Sequence, residues 1–153
     1  MNESITVKIV KKYDPELINT LKQMETDSFG VEAAANQWLL PVIINYGRVV
    51  VAIRQNKIIG VCLAFRDWND SFIAFIHSFH IHKDCRGQGW GDQFFIQVIK
   101  LFKADKIKRV QLTVDPQNRP AVELYKKHGF STQKVKKDEY GSGHDRLAME
   151  LKL

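Results

Sequence analysis

One six-residue run has residue types and spacing suited to a specific chemistry: Arg86-Gly87-Gln88-Gly89-Trp90-Gly91. Small residues let a backbone approach a ligand closely, and this run opens an amphipathic stretch. The first N–H groups of a helix have no partner inside it, and the helix dipole is positive at that end. A glycine-rich junction of this kind suits an anion, phosphate above all. Arg86 adds a full positive charge. Three phosphate-binding patterns compete. The dinucleotide pattern G-x-G-x-x-G fails at Asp92, where its last glycine should stand, and the P-loop pattern G-x-x-x-x-G-K-[ST] has no match. Arg/Gln-x-x-Gly-x-Gly/Ala is met by Arg86, Gly89 and Gly91. On its own the run also fits a flexible turn before a helix.

The elements around the run decide how it is presented. Before it, Phe72–His82 is a long β-like stretch. Ile73, Phe75, Phe79 and Ile81 lie on one face, and Phe72, Ala74 and Ile76 on the other. Two apolar faces predict a central strand covered on both sides. After it, Trp90, Phe94, Val98 and Phe102 recur on one helical face, with Phe95 and Ile99 beside it. Upstream, Ile5–Val10 alternates as a strand. Asp14-Pro15-Glu16 reads as a helix start, and that helix should end near Phe29-Gly30. A second helical stretch is expected over about Val31–Leu40, broken by Pro41. Val49–Ile53 and Lys57–Phe65 form a hairpin around Gln55-Asn56. Downstream, Val110, Leu112 and Val114 alternate. Asn118 or Asp115 can cap a short helix to about Lys127, closed by Gly129. Ser131–Tyr140 and Asp145–Leu153 read as a terminal strand pair. The order is strand, helix, helix, three strands, helix, strand, helix, two strands, an α+β arrangement.

The bulk numbers narrow the function classes. A chain of 153 residues with 44% hydrophobic and 26% charged residues favours a single folded domain, residues 1–153. The apolar runs are too short to cross a bilayer, and Met1-Asn2-Glu3-Ser4 lacks the layout of a signal peptide, so no membrane partner is expected. Cys62 and Cys85 lack metal-ligand spacing, and no metal is expected. A reducing cytoplasm is the simplest setting. The net charge is +6, but the lysines are scattered and not interleaved with aromatics. A solvated surface plus a phosphate-bearing ligand accounts for them better than a nucleic acid does.

With these residues in hand, the sequence resembles the GNAT superfamily of N-acetyltransferases. The resemblance spans nearly the whole chain in element order and is sharpest in Ile76–Gly91 and Gln111–Phe130. It implies a GNAT-like acyl-CoA transferase fold: a mixed, mostly antiparallel central sheet of about six to seven strands with helices on both faces. It implies acetyl-coenzyme A as co-substrate. The pyrophosphate would be held by Arg86, Gly87, Gln88, Gly89, Trp90, Gly91 and Asp92. The pantetheine arm would pair with the strand around Phe79, His80 and Ile81, whose backbone N–H near Phe79 would serve the oxyanion. Leu112–Ala121 resembles the family's second cofactor motif, with Asn118 on its recurrent asparagine. Tyr125, in Leu124–Phe130, falls on the family's recurrent tyrosine.

The chemistry so implied is acetyl transfer to a primary amine by direct attack in a ternary complex. An alkylamine is neutral in only about one molecule in a thousand at pH 7, so a proton must be removed, and another supplied to the departing thiolate. By resemblance Tyr125 supplies it; alternatively, its ring packs in the core. Many relatives carry a glutamate as base where this chain has His77. His80 is on the same strand but on the opposite face, and Glu25, otherwise a solvated helix residue, is a third candidate. The acceptor amine, on a small molecule or a peptide, should bind near Asp27–Trp38 and the Arg66–Asp70 turn. Trp38 and Trp68 either wall that site or pack in the core or rim. A homodimer fits the resemblance, since such folds pair through sheet edges or helices. A different class remains open: a non-catalytic acyl-CoA-binding sensor or partner module of the same fold. A small nucleic-acid binder is the third reading, suggested by charge alone.

Overall fold

The computed structural model describes residues 4–153. Four helices accompany seven strands among them: β1 (Thr6–Val10), α1 (Pro15–Phe29), α2 (Leu40–Tyr46), β2 (Arg48–Arg54), β3 (Lys57–Arg66), β4 (Ile73–Ile81), α3 (Trp90–Ala104), β5 (Arg109–Val114), α4 (Arg119–Lys127), β6 (Ser131–Lys136) and β7 (Arg146–Lys152). The element order is the expected one. The strands form one sheet in the order β1-β2-β3-β4-β5-β7-β6, with β4 in its centre as the two apolar faces required. The sheet is mixed: β4 and β5 run parallel, whereas β1–β2, β2–β3, β5–β7 and β6–β7 are antiparallel. No helix of the described residues is long and apolar enough to cross a membrane.

Contacts divide the chain into two compact units. One is the chain through Phe65 with Ser78–Leu101; the other is Arg66–His77 with Phe102–Leu153. The first unit is itself layered. Val49, Val51, Val61 and Leu63 form a core with Ile18, Leu21 and Met24 of α1 and with Leu40, Ile43 and Ile44 of α2. The opposite face, set by the two-residue period of a strand, carries α3. There Phe79 stacks on Phe94 at 5.1 Å and meets Phe95 edge-on at 5.1 Å. Trp90, Phe94, Phe95 and Val98 are all buried, as their helical spacing predicts.

Local sequence explains most boundaries. Asp14 Oδ1 accepts from Leu17 N at 2.9 Å and Pro15 opens α1. Gln55 and Asn56 take left-handed φ values of 49° and 60° at the β2–β3 turn. Two expectations need correction. Residues 31–39 are turns, not helix, and Pro41 lies in the first turn of α2 instead of ending a helix. Proline lacks the N–H that a first turn leaves unused anyway. Asn36 Oδ1, accepting from Trp38 N and Leu39 N at 3.0 and 3.2 Å, supports the approach. The last hairpin also turns earlier than expected. β6 stops at Lys136, because Asp138 takes φ 51° and its carboxylate accepts from Gly143 N at 2.6 Å.

In the second unit β7 lies between β5 and β6. Asn118 Oδ1 caps α4 by accepting from Ala121 N at 3.4 Å, and Gly129, at φ 91°, closes it.

Candidate active site

The parallel ladder joins Ile73–Ile76 to Arg109–Leu112, and β4 then continues to Ile81. Chain direction leads from there through a single tight turn, Lys83–Cys85, into Arg86–Gly91 and α3. Gly87 and Gly89 take φ values of 71° and 83°, and a Cβ built on either meets no atom within 4 Å. Their side-chain space is open, so the backbone at the positive end of α3 is bare to a ligand. Gln88 and Trp90 hold the loop. Gln88 Nε2 donates to Asp84 O at 3.2 Å, and Trp90 Nε1 donates to Gln88 Oε1 at 3.3 Å. Trp90 is buried beneath the Arg54 guanidinium, 4.9 Å away, so its contribution to an anion is its backbone. Asp92 stands half-buried in the first turn of α3.

Arg86 does not project into solvent as a free charge. Its Nε donates to Ile81 O at 2.9 Å and its Nη2 to Ser28 Oγ at 3.2 Å. The arginine thus braces the loop against the end of β4 and the last turn of α1.

Ser28 leads to the most polar buried cluster of the first unit. Strand alternation puts Ser78 and His80 on the β4 face that meets α1. Glu25 reaches them from α1 and is 0% exposed. Its Oε1 accepts from Ser78 Oγ at 2.6 Å and from His80 Nε2 at 2.8 Å, and its Oε2 accepts from Ala35 N at 3.3 Å. Burial alone would raise this carboxyl. The bond and charge of His80, with the bonds from Ser78 and Ala35, outweigh burial and hold it below the usual glutamate range. Because the carboxylate can only accept, His80 Nε2 carries a proton; in the neutral form of the ring Nδ1 accepts from Ser28 Oγ, 3.1 Å away. The edge of Phe29 closes on the imidazole with centroids 5.3 Å apart.

Sequence reasoning named Glu25 and His80 separately, and the structure brings them together. The solvated-helix reading of Glu25 is overturned, since a carboxylate reaching three donors is buried with them. His77 is exposed on β4 and belongs to the second unit, whereas Glu25 and His80 belong to the first. Phe79 and Ile81 point to α3, leaving only their backbone for a ligand. Tyr125 is 6% exposed, with its ring 5.6 Å from that of Phe130. The side chain of Asn118 caps α4. Trp38 and Trp68 are 78% and 98% exposed, so neither is a core residue. Ser28 and Ser78 were missed. No motif marks a serine, and only three-dimensional proximity to Glu25 and His80 singles them out.

A mixed sheet whose central strand feeds an open glycine loop and a helix N-terminus is the arrangement expected of the GNAT class. Residues 15–130 match the acetyltransferase (GNAT) family model, and the chain belongs to that family. It is an acetyl-CoA-dependent N-acetyltransferase. A Bacillus subtilis (strain 168) protein, provisionally named a [ribosomal protein bS18]-alanine N-acetyltransferase, is 28% identical over 136 residues, 88% of each chain. Among solved structures, Ard1 from Thermoplasma volcanium is similar with TM-score 0.84 at 18% identity, over 97% of both chains. Arabidopsis thaliana Naa50, in complex with the bisubstrate analogue CoA-Ac-MVNAL, gives TM-score 0.81 at 18% identity, over 98% of this chain and 99% of that one.

Proposed function

We propose that the acceptor is the α-amine of a peptide or protein N-terminus and that the Glu25–His80 pair is the base. The observation that carries this is the hydrogen-bond series from buried Glu25 through His80 and half-buried Ser28 to exposed Arg86 of the cofactor loop. An α-amine titrates near 8, so roughly one molecule in ten is already neutral at pH 7, and an imidazole paired with a carboxylate suffices to take the remaining proton. The names of the Bacillus relative and of the Naa50 complex support a peptide acceptor. The pyrophosphate is held by the backbone of Gly87–Gly91, the pantetheine arm runs along the β4 edge at Phe79–Ile81, and Tyr125 is the proton donor to the thiolate, as the family resemblance implies. The second-motif residue Asn118 contributes through its cap on α4. The setting is the cytoplasm, in keeping with free Cys62 and Cys85.

The experiment is thiol release from acetyl-CoA with a panel of amines. It includes an alanine-started peptide, the same peptide already acetylated at its N-terminus, free lysine and a polyamine. Turnover with the first peptide alone is expected. Turnover with the polyamine or lysine but not with the peptide would overturn the acceptor. Binding of acetyl-CoA without thiol release from any amine would favour the non-catalytic acyl-CoA module.

A further inference from the structure

We propose that Ser28 is a catalytic residue, the proton relay through which His80 acts on the incoming amine. The inference rests on the Glu25–His80 base reading and adds the route the proton takes.

Both nitrogens of the His80 ring are occupied. Nε2 is bound to Glu25 at 2.8 Å, and Nδ1 faces Ser28 Oγ at 3.1 Å. The side chain is only 5% exposed, with Phe29 against its edge. A ligand therefore has no direct access to either nitrogen. Ser28 is half-buried in the last turn of α1, with its hydroxyl bonded to His80 on one side and Arg86 on the other. It contacts both the imidazole and the loop expected to hold acetyl-CoA.

The hydroxyl has the right free valence. Its hydrogen goes to Nδ1, one lone pair accepts from Arg86 Nη2, and the second lone pair is left for an N–H of the substrate. In the step, the amine nitrogen bonds to the thioester carbonyl carbon, whose C=O electron pair moves onto oxygen, and yields a proton to Ser28 Oγ; the oxyanion then collapses, the C–S bond breaks, and coenzyme A leaves as the thiolate to be protonated. Ser28 passes its own hydrogen to His80 Nδ1, and the imidazolium so formed is paired with the Glu25 carboxylate. One proton moves, and Ser28 ends neutral as it began. Afterwards Nδ1–H and Arg86 both donate to Oγ, which has two lone pairs for them. The charged groups around the ring are Glu25 from α1 and Arg86 from the cofactor loop, with the hydroxyls of Ser28 and Ser78 between. Arg86 opposes an imidazolium, and an anionic ligand on its loop would relieve that opposition.

The test compares Ser28→Ala, Ser28→Thr, His80→Gln and the Ser28→Ala/His80→Gln double variant. It reads kcat with an acceptor peptide from pH 7 to 9.5, acetyl-CoA affinity by titration calorimetry, and thermal melting as a fold check. Ser28→Ala and His80→Gln should each lower kcat at pH 7 by about 100-fold, the low end for general-base catalysis. The double variant should be no slower than either single one, since the residues act as one unit. Acetyl-CoA affinity should hold, Ser28→Thr should recover most of the loss, and the deficit should shrink as rising pH deprotonates the amine in solution. If His80→Gln falls while Ser28→Ala keeps the parental kcat, the relay is wrong and the base reading stands. If His80→Gln keeps the parental kcat, the base reading falls and the relay with it. Additive losses, or weakened acetyl-CoA binding in Ser28→Ala, would make Ser28 a brace for the cofactor loop and overturn the relay.

Discussion

Replacing Glu25 by glutamine probes the buried cluster with least change of shape. The carboxylate accepts three donors: Ser78 Oγ, His80 Nε2 and Ala35 N. A carboxamide oriented to serve Ser78 and His80 turns its NH2 toward Ala35 N, leaving a buried N–H unmet at about 1–3 kcal/mol. Exchanging a charged acceptor for a neutral one at the other two bonds removes roughly 1 kcal/mol each. Relief from burying a charge offsets part of the sum, so a net loss of about 2–3 kcal/mol is expected. For a chain of this size that lowers Tm by about 4–12 °C. The pH dependence gives a second signature. The folded pKa of Glu25 is depressed, so its contribution is fully present above the unfolded value and lost as pH falls through the folded one. Urea unfolding of parent and Glu25→Gln should show the full gap at pH 7 and a narrowing gap as far into acid as the native baseline persists. Equal stability at pH 7, or a gap that does not narrow in acid, would refute the account of Glu25 as an ionised, threefold-bonded acceptor.

Gly89→Glu puts bulk and negative charge at the open N-terminus of α3 and should abolish acetyl-CoA binding by calorimetry; unchanged affinity would refute the cradle. Tyr125→Phe should lower kcat with little change in acetyl-CoA affinity, and unaltered steady-state kinetics would remove it as the acid. Gly60→Ala should destabilise the fold by about 1–3 kcal/mol in urea, as overpacking does, because its Cβ would stand 2.9 Å from Ile81 Cδ1 and Phe94 Cδ1. Burial, with the charge of Glu25 adding to it, pushes the Cys62 thiol well above its usual range. A thiol reagent at neutral pH should therefore titrate Cys85 in the native protein and both cysteines only after unfolding.

The fold was legible wherever periodicity and cap chemistry spoke with one voice. The two apolar faces of β4 placed it in the middle of the sheet, and Asp14-Pro15 and Gly129 marked helix ends that the backbone respects. Pro41 misled because proline reads as a stop or a start, and only Asn36, five residues upstream, tips it to a start. The cofactor loop was legible because its function resides in the backbone, which glycine spacing reports directly. The polar cluster was not. Glu25, Ser28, Ser78 and His80 lie on α1 and β4, far apart in the chain, and a lone glutamate on a helix looks solvated until the strand that covers it is known. Choosing between His77 and His80 required knowing which face of β4 meets α1, and alternation alone does not supply that.

Gly60 has a consequence for how such a chain can diverge. With nothing but a hydrogen at that position, Phe94 seats against β3, and the seat of Phe94 fixes how α3 presents its first N–H groups. A core position that never reaches a ligand thereby sets the alignment of the cofactor loop, and fold and ligand affinity are inherited through the same site. A library selected only for retention of acetyl-CoA should therefore return Gly60 and Phe94 nearly unchanged, alongside the glycines of the loop, while the exposed strand β6 drifts freely.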